Sequence, residues 1–211
     1  MRRRIGTTGV LASGGLDSAV LLVRLLNAGH RVWPVYIRCG FAWETAELYW
    51  LRRFLRAVRS PRLLPLHVIE VPLRDMYGPH WSFTGRGVPG ARSADAAVYL
   101  PGRNVLLLSH AAVAGARRHI WRFALGTLRG NPFGDASPRF FRAMARALSL
   151  ALGGPVRIAA PLAGLRKPAL VRAASMAPLH LTFSCLRPRG RRPCGRCNKC
   201  AERARAFRMA R

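Results

Sequence analysis

Acidic residues are scarce in this chain of 211: Asp17, Glu44, Glu47, Glu70, Asp75, Asp95, Asp135 and Glu202 stand against 36 basic residues. Any catalytic carboxylate or divalent-cation ligand must come from those eight, which makes Asp17 and Asp135 conspicuous. Lysine is scarcer still, since only Lys167 and Lys199 are not arginine among the 36. No apolar run reaches the ~18–20 residues that cross a bilayer. The opening Met-Arg-Arg-Arg-Ile-Gly-Thr-Thr-Gly-Val has a basic flank but no sustained apolar stretch and no small-residue cleavage site. A cytoplasmic protein with no membrane partner is therefore expected. There is no Gly-x-x-x-x-Gly-Lys-Ser/Thr and no Gly-x-Gly-x-x-Gly, so neither common phosphate-binding fingerprint applies. Internal repeats and low-complexity tracts are absent as well.

Half of the residues are hydrophobic, enough to bury a core. The formal net charge of +28 invites a nucleic-acid partner, because clustered basic side chains release counterions from a phosphate backbone. The arginines are spread along the whole chain, however, as compositional bias would spread them. An anionic small-molecule substrate is favoured over a polyanion.

Apolar patterning alternates strand with helix. Strands are expected over 7–12, 32–37, 66–71, 120–125 and 156–160. Helices are expected over 16–27, 43–59, 105–116 and 138–152, with another beginning at Pro168. Pro34 falls inside the second strand and predicts an irregularity there. Residues 72–101, with four prolines and several glycines, break the rhythm and read as a long loop or lid. The alternation predicts an α/β fold, a doubly wound parallel sheet.

Between the first strand and first helix lies Ser13-Gly-Gly-Leu-Asp-Ser18. In such sheets this is the carboxyl end of a strand, where ligands bind. The helix amino terminus supplies free N–H groups and partial positive charge, and glycines let a phosphate reach them. Ser13 and Ser18 add hydroxyls, and Asp17 is a candidate magnesium or nucleotide contact.

The tail carries Cys185, Cys194, Cys197 and Cys200, spaced C-x8-C-x2-C-x2-C. Three cysteines within seven residues are poor disulfide partners in a reducing compartment. Four thiolates at this spacing suit tetrahedral zinc in a closed site. An iron–sulfur cluster is the rival, because C-x2-C-x2-C also begins ferredoxin-type runs. Cys39 stands apart and reads as a small packed residue rather than a nucleophile.

Ser-Gly-Gly-Leu-Asp-Ser resembles the pyrophosphatase (PP) loop of the N-type ATP pyrophosphatases. With Tyr99-Leu-Pro-Gly-Arg-Asn104, Leu125-Gly-Thr127, Asp135 ahead of Pro138-Arg-Phe-Phe141, Pro161-Leu-Ala-Gly-Leu-Arg-Lys167, Thr182-Phe-Ser-Cys185, the cysteine run and Glu202-Arg203, it resembles the 7-cyano-7-deazaguanine synthase family. The likeness implies a Rossmann-like ATP-binding domain over 1–179, a four-cysteine zinc module over 180–211, and a homodimer. It also implies ATP, Mg2+ and Zn2+ as cofactors, with ammonia and 7-carboxy-7-deazaguanine as substrates for queuosine biosynthesis. In such an enzyme ATP activates the carboxylate as an acyl-adenylate, ammonia displaces AMP, and a second adenylation leads to the nitrile.

Carried over by position, Ser13, Gly14, Gly15, Leu16, Asp17, Ser18, Arg103, Asn104, Gly126 and Thr127 would bind the nucleotide. Asp17, Ser18 and Lys167 would act in catalysis, Lys167 by neutralising phosphate charge. Asp135, Phe133 and Arg103 would meet the deazaguanine, and Cys185, Cys194, Cys197 and Cys200 would hold zinc. Departures mark a divergent branch. Where the family has Tyr-Pro-Asp-Cys-Arg, this chain reads Asn131-Pro-Phe-Gly-Asp-Ala-Ser137, keeping only the proline and the aspartate. Alternatives are a ligase that stops at the amide or takes another acyl group, a tRNA thiolase, and a zinc-dependent nucleic-acid-binding regulator.

Overall fold

The computed structural model describes residues 6–174 and 177–210. Five parallel strands lie in the order β3-β2-β1-β4-β5: β1 (Thr7–Leu11), β2 (Arg31–Arg38), β3 (His67–Glu70), β4 (Arg122–Ala124) and β5 (Arg157–Ala159). From β1 the chain winds one way through α1 (Leu16–Asn27), β2 and α2 (Glu44–Ala57) to β3. It then returns past β1 and winds the other way through α5 (Arg103–Ala116), β4 and α6 (Pro138–Leu152) to β5. β1 and β4 therefore flank the point where strand order reverses, and in open α/β sheets the crevice for ligands lies at the carboxyl ends of such strands. The doubly wound α/β expectation holds.

Strand periodicity divides the core between the two faces. Trp33, Val35 and Ile37 point to one face, where Leu108, Ala111, Phe123 and Phe141 join them. Val32 and Tyr36 point to the other, with Val20, Leu21, Phe54 and Leu170 from α1, α2 and α7 (Lys167–Arg172). Successive side chains of a strand alternate faces, so one eight-residue strand serves both.

Pro34 causes no break. It pairs with Val10 inside an uninterrupted β2. Val32 exchanges hydrogen bonds with Arg62 and Leu64 on the β3 side, and Pro34, two residues on, faces that same side. β3 begins only at His67, opposite Val35. The missing N–H thus falls in a gap where the neighbouring ladder has not begun, and the expected irregularity is absorbed there.

The stretch 72–101 has more structure than a loop. It contains α3 (Arg74–Tyr77), α4 (Trp81–Thr84) and a 3-10 turn over Asp95–Val98. Aromatic contacts hold it down: Trp43 on Trp81, Phe41 on Phe83, and Tyr77, whose hydroxyl donates to the Pro101 carbonyl at 2.7 Å. Asn198 Nδ2 donates to the Ser93 carbonyl at 3.0 Å.

The tail adds α8 (Asn198–Arg208), a helix that the apolar pattern did not predict. Only Asn198 and Ala206 of its residues are buried, too few for a periodic stripe. Phe183, Cys185, Leu186 and Cys197 join the core on the α5–α6 face.

Candidate active site

β1 ends at Leu11, and Ser13–Gly15 turn the chain into α1. Gly14 has φ +75°, a left-handed conformation that favours glycine. A Cβ there would also come within 3.1 Å of Leu51 and 3.3 Å of the Glu47 carbonyl. The Gly14 carbonyl accepts the N–H of Phe183 at 2.8 Å, so the far end of the chain braces the turn. The Ser13 and Ser18 hydroxyls lie 3.2 Å apart, and Ser18 Oγ also accepts the Ser13 N–H at 3.2 Å. Gly15 caps α1 with no side-chain hydrogen bond, which leaves the helix amino end open toward the crevice. Leu16 is buried, so its backbone alone can meet a ligand.

Asp17 lies in the first turn of α1. Its Oδ2 is 3.2 Å from Lys167 Nζ, and its Oδ1 is buried without a hydrogen-bond partner among the described residues. Burial raises the pKa of Asp17, with Lys167 opposing. The unpartnered oxygen leaves Asp17 able to accept a further donor or a cation. Lys167 sits at the start of α7, and its second partner, Glu202 Oε1 of α8, is nearer, at 2.6 Å. Burial disfavours the charge on Lys167, but the two carboxylates outweigh it and its pKa rises. Glu202 Oε2 pairs with Lys199 at 2.8 Å. Burial works against Glu202 as well, and the two lysines overcome it, holding its carboxyl at about 2.

Gly126 follows β4 at the crevice. A Cβ there would lie 2.7 Å from the Asp17 carbonyl carbon and 2.9 Å from the Ser18 nitrogen. Backbone, not a flexible side chain, excludes any larger residue. Gly126 thus sets how closely β4 approaches the first turn of α1, with half-buried Thr127 beside it.

The rest of the site is built from α5 and the turn before α6, with α2 running between them and the PP loop. Asn104, near the start of α5, donates its backbone N–H to Asp135 Oδ2 at 3.0 Å and its Nδ2 to the Asp135 carbonyl at 2.9 Å. Phe133 stacks on Tyr99, centroids 4.7 Å apart and rings inclined at 18°. The charge of Arg103 is felt at Cys39, Glu47 and Tyr77. Glu44 accepts the N–H groups of Cys39 at 2.6 Å and Gly40 at 2.8 Å, fixing the end of β2. Glu47 accepts the Tyr36 hydroxyl at 2.8 Å, and loss of solvent pushes its pKa up to about 8.

The four tail cysteines converge, their sulfurs all within 4.8 Å of one another. Tetrahedral coordination at a metal–sulfur distance of ~2.3 Å needs sulfurs ~3.8 Å apart. The cluster is compact enough for all four sulfurs to share one metal ion. Backbone N–H groups of Cys194 and Leu186 donate to Cys185 Sγ at 3.2 Å and Cys197 Sγ at 3.4 Å, as suits thiolates. Cys197 caps α8, and Cys200 lies in its first turn. Cys39 is fully buried, its thiol pushed up to about 12 by burial, which agrees with a packing role.

The family model described as "Queuosine biosynthesis protein QueC" matches residues 8–211. The chain belongs to the QueC family. It is 30% identical to the 7-cyano-7-deazaguanine synthase 1 of Desulfitobacterium hafniense, over 95% of this chain and 90% of that one. It is 32% identical to the 7-cyano-7-deazaguanine synthase of Anaeromyxobacter dehalogenans, over 94% and 89%. Among solved structures, a 4-thiouridine synthetase in complex with RNA and ATP superimposes with TM-score 0.55 at 15% identity, covering 97% of this chain and 50% of that one. The U34-tRNA thiolase NcsA of Methanococcus maripaludis does so with TM-score 0.52 at 14% identity, covering 99% and 66%. These two share the fold.

In this QueC chain the structure brings together Ser13, Asp17, Ser18, Gly126 and Lys167 at one end of the crevice, and Asn104, Phe133 and Asp135 at the other. Sequence reading named Glu202 only as part of a family motif, with no role, and assigned none to Lys199, Glu47 or Tyr36. One signal was available for the first two. A chain that uses arginine almost everywhere keeps lysine at two positions, and both lysines meet at Glu202.

Proposed function

We propose that this chain converts 7-carboxy-7-deazaguanine and ammonia into 7-cyano-7-deazaguanine, with two ATP cleaved to AMP and pyrophosphate. The observation that carries this reading is the buried, unpartnered Asp17 Oδ1 beside Lys167 at the PP loop, in a member of the QueC family. The loop N–H groups and the Ser13 and Ser18 hydroxyls would hold the two outer phosphates as the leaving group. Asp17 would hold Mg2+, which when bound neutralises phosphate charge. Cys185, Cys194, Cys197 and Cys200 would hold Zn2+ in a closed structural site.

The substrate carboxylate attacks the α-phosphorus, pyrophosphate leaves, and an acyl-adenylate forms. Ammonia adds at the acyl carbon and AMP departs, giving the amide. The amide oxygen then attacks the α-phosphorus of a second ATP, pyrophosphate leaves, and elimination of AMP with loss of the nitrogen's protons gives the nitrile. These steps need in-line positioning and charge stabilisation rather than covalent help from the protein. Lys167 supplies a point charge to the phosphates. Arg103 would face the anionic carboxylate, and Phe133 and Asp135 would meet the deazaguanine ring. A homodimer, checked by sedimentation, belongs to the same reading.

A thiolase reading lacks a reactive sulfur. Outside the cluster the chain has only Cys39, buried and with its thiol pushed up. Mass spectrometry of an incubation with ATP, ammonia and 7-carboxy-7-deazaguanine tests the proposal. A nitrile and AMP are expected, an amide alone would stop the sequence half-way, and no AMP with either the acid or the amide overturns it. Asp17→Ala should lower AMP formation by roughly a hundredfold or more while fold and metal content persist.

A further inference from the structure

Three structural links tie the four-cysteine cluster to the PP loop. The segment leading into the cluster touches the loop itself, through the Phe183 N–H and Gly14 carbonyl. Two cluster ligands, Cys197 and Cys200, form the amino end of α8, so an ion held there fixes where that helix starts. Two residues beyond Cys200, Glu202 reaches back to Lys167, and Lys167 reaches Asp17.

The geometry of Glu202 is specific. One oxygen is occupied by Lys199, three residues earlier on the same helix, which fixes the carboxylate's orientation. The other is 2.6 Å from Lys167 Nζ, whereas Asp17 is 3.2 Å from it. Lys167 therefore has a near partner outside the phosphate site and a farther one inside it. A nucleotide arriving with a cation would engage Asp17 and leave Lys167 anchored by Glu202 and free to face phosphate. Without that anchor a four-carbon side chain must be ordered anew each time nucleotide binds, at a cost in rotamer freedom.

We propose that Glu202 is a positioning residue that holds Lys167 at the PP loop, and that occupancy of the four-cysteine site raises nucleotide affinity through it. This rests on the ATP-binding reading above. Its sign separates it from a simple field effect. Glu202 is a negative charge near a site for triphosphate, so by Coulomb's law alone its removal should tighten nucleotide binding. Positioning predicts the reverse.

The test is the dissociation constant of a non-hydrolysable ATP analogue with Mg2+, measured by titration calorimetry on wild type and Glu202→Gln, each metal-loaded and chelator-stripped. Loaded Glu202→Gln should bind about tenfold more weakly than loaded wild type, with unchanged metal content by elemental analysis. Glu202→Asp should recover part of the loss. Stripped wild type should bind about as weakly as loaded Glu202→Gln, and stripping that variant should add little, because the two changes act on one linkage. Unchanged or tighter binding by Glu202→Gln overturns the proposal, as do losses that multiply. If circular dichroism shows that stripping unfolds α8, loaded Glu202→Gln and Glu202→Asp decide the matter alone. Loaded wild type that binds no nucleotide refutes the ATP-binding reading itself, whereas wild type that binds normally beside an unaffected Glu202→Gln refutes only this coupling.

Discussion

The two walls of the crevice are built on opposite plans. At the PP loop, polar groups are left over: Asp17 Oδ1 has no partner, and the amino end of α1 carries no side-chain cap. Around the rest of the crevice, polar groups answer one another. Asp135 is taken up by Asn104, Glu44 by two backbone N–H groups, and Glu47 by Tyr36. The first wall is organised for a ligand that brings charge with it. The second is organised to stay rigid and offer shape, with Tyr99 on Phe133 as its aromatic element.

Breaking the support behind the first wall should have the largest effect. Cys194→Ser removes one of four thiolates, and metal binding in small zinc sites contributes on the order of 10 kcal/mol to folding. Metal content should fall from about one ion per chain to near zero, and hydrogen exchange across Asn198–Arg208 should accelerate strongly. Iron with a visible chromophore in the wild type would contradict the single-ion reading. Gly126→Ala is more local. Its methyl cannot fit against the Asp17 backbone, so the first turn of α1 must shift, and kcat/KM should fall about a hundredfold with little change in melting temperature.

Smaller changes probe the second wall. Asp135→Ala strips the start of α5 of its acceptor and should cost about 1 kcal/mol of stability by chemical denaturation. Asp135→Asn keeps an acceptor oxygen and should cost less, yet raise KM for the deazaguanine acid. A pH dependence tests the same region. Glu47 has its pKa raised by burial from an ordinary 4.5 to about 8 in the folded chain. Between those values the unfolded chain has lost a proton that the folded chain retains, so stability must fall as pH rises from about 5 to 8. The melting temperature of wild type relative to Glu47→Gln should decline across that window, and a flat difference would show that Glu47 titrates normally.

What could be read from the sequence follows from what kind of information each feature needs. The PP loop and the cysteine run are contiguous strings whose residue types announce their chemistry. The alternating strands and helices rest on periodic burial, which also lies along the chain. α8 escaped because Asn-Lys-Cys-Ala-Glu-Arg-Ala-Arg-Ala-Phe-Arg has no apolar stripe; cluster ligands at its amino end and ion pairs hold it instead. Pro34 misled because its consequence depends on which neighbour a strand residue faces, which only register reveals. Gly126 was expected to serve the nucleotide, and the structure gives it a packing reason that any ligand contact would have to share. The link from Asp17 to Lys167 to Glu202 joins three distant segments through side chains alone, and no local pattern encodes it.

The hydrogen bond from Phe183 to Gly14 has a consequence for how the protein is made. The turn that would receive triphosphate leaves the ribosome long before the residue that braces it. Until Phe183 has emerged, a nascent chain carries an unbraced cup, and its capacity for ATP should appear only after that residue is in place.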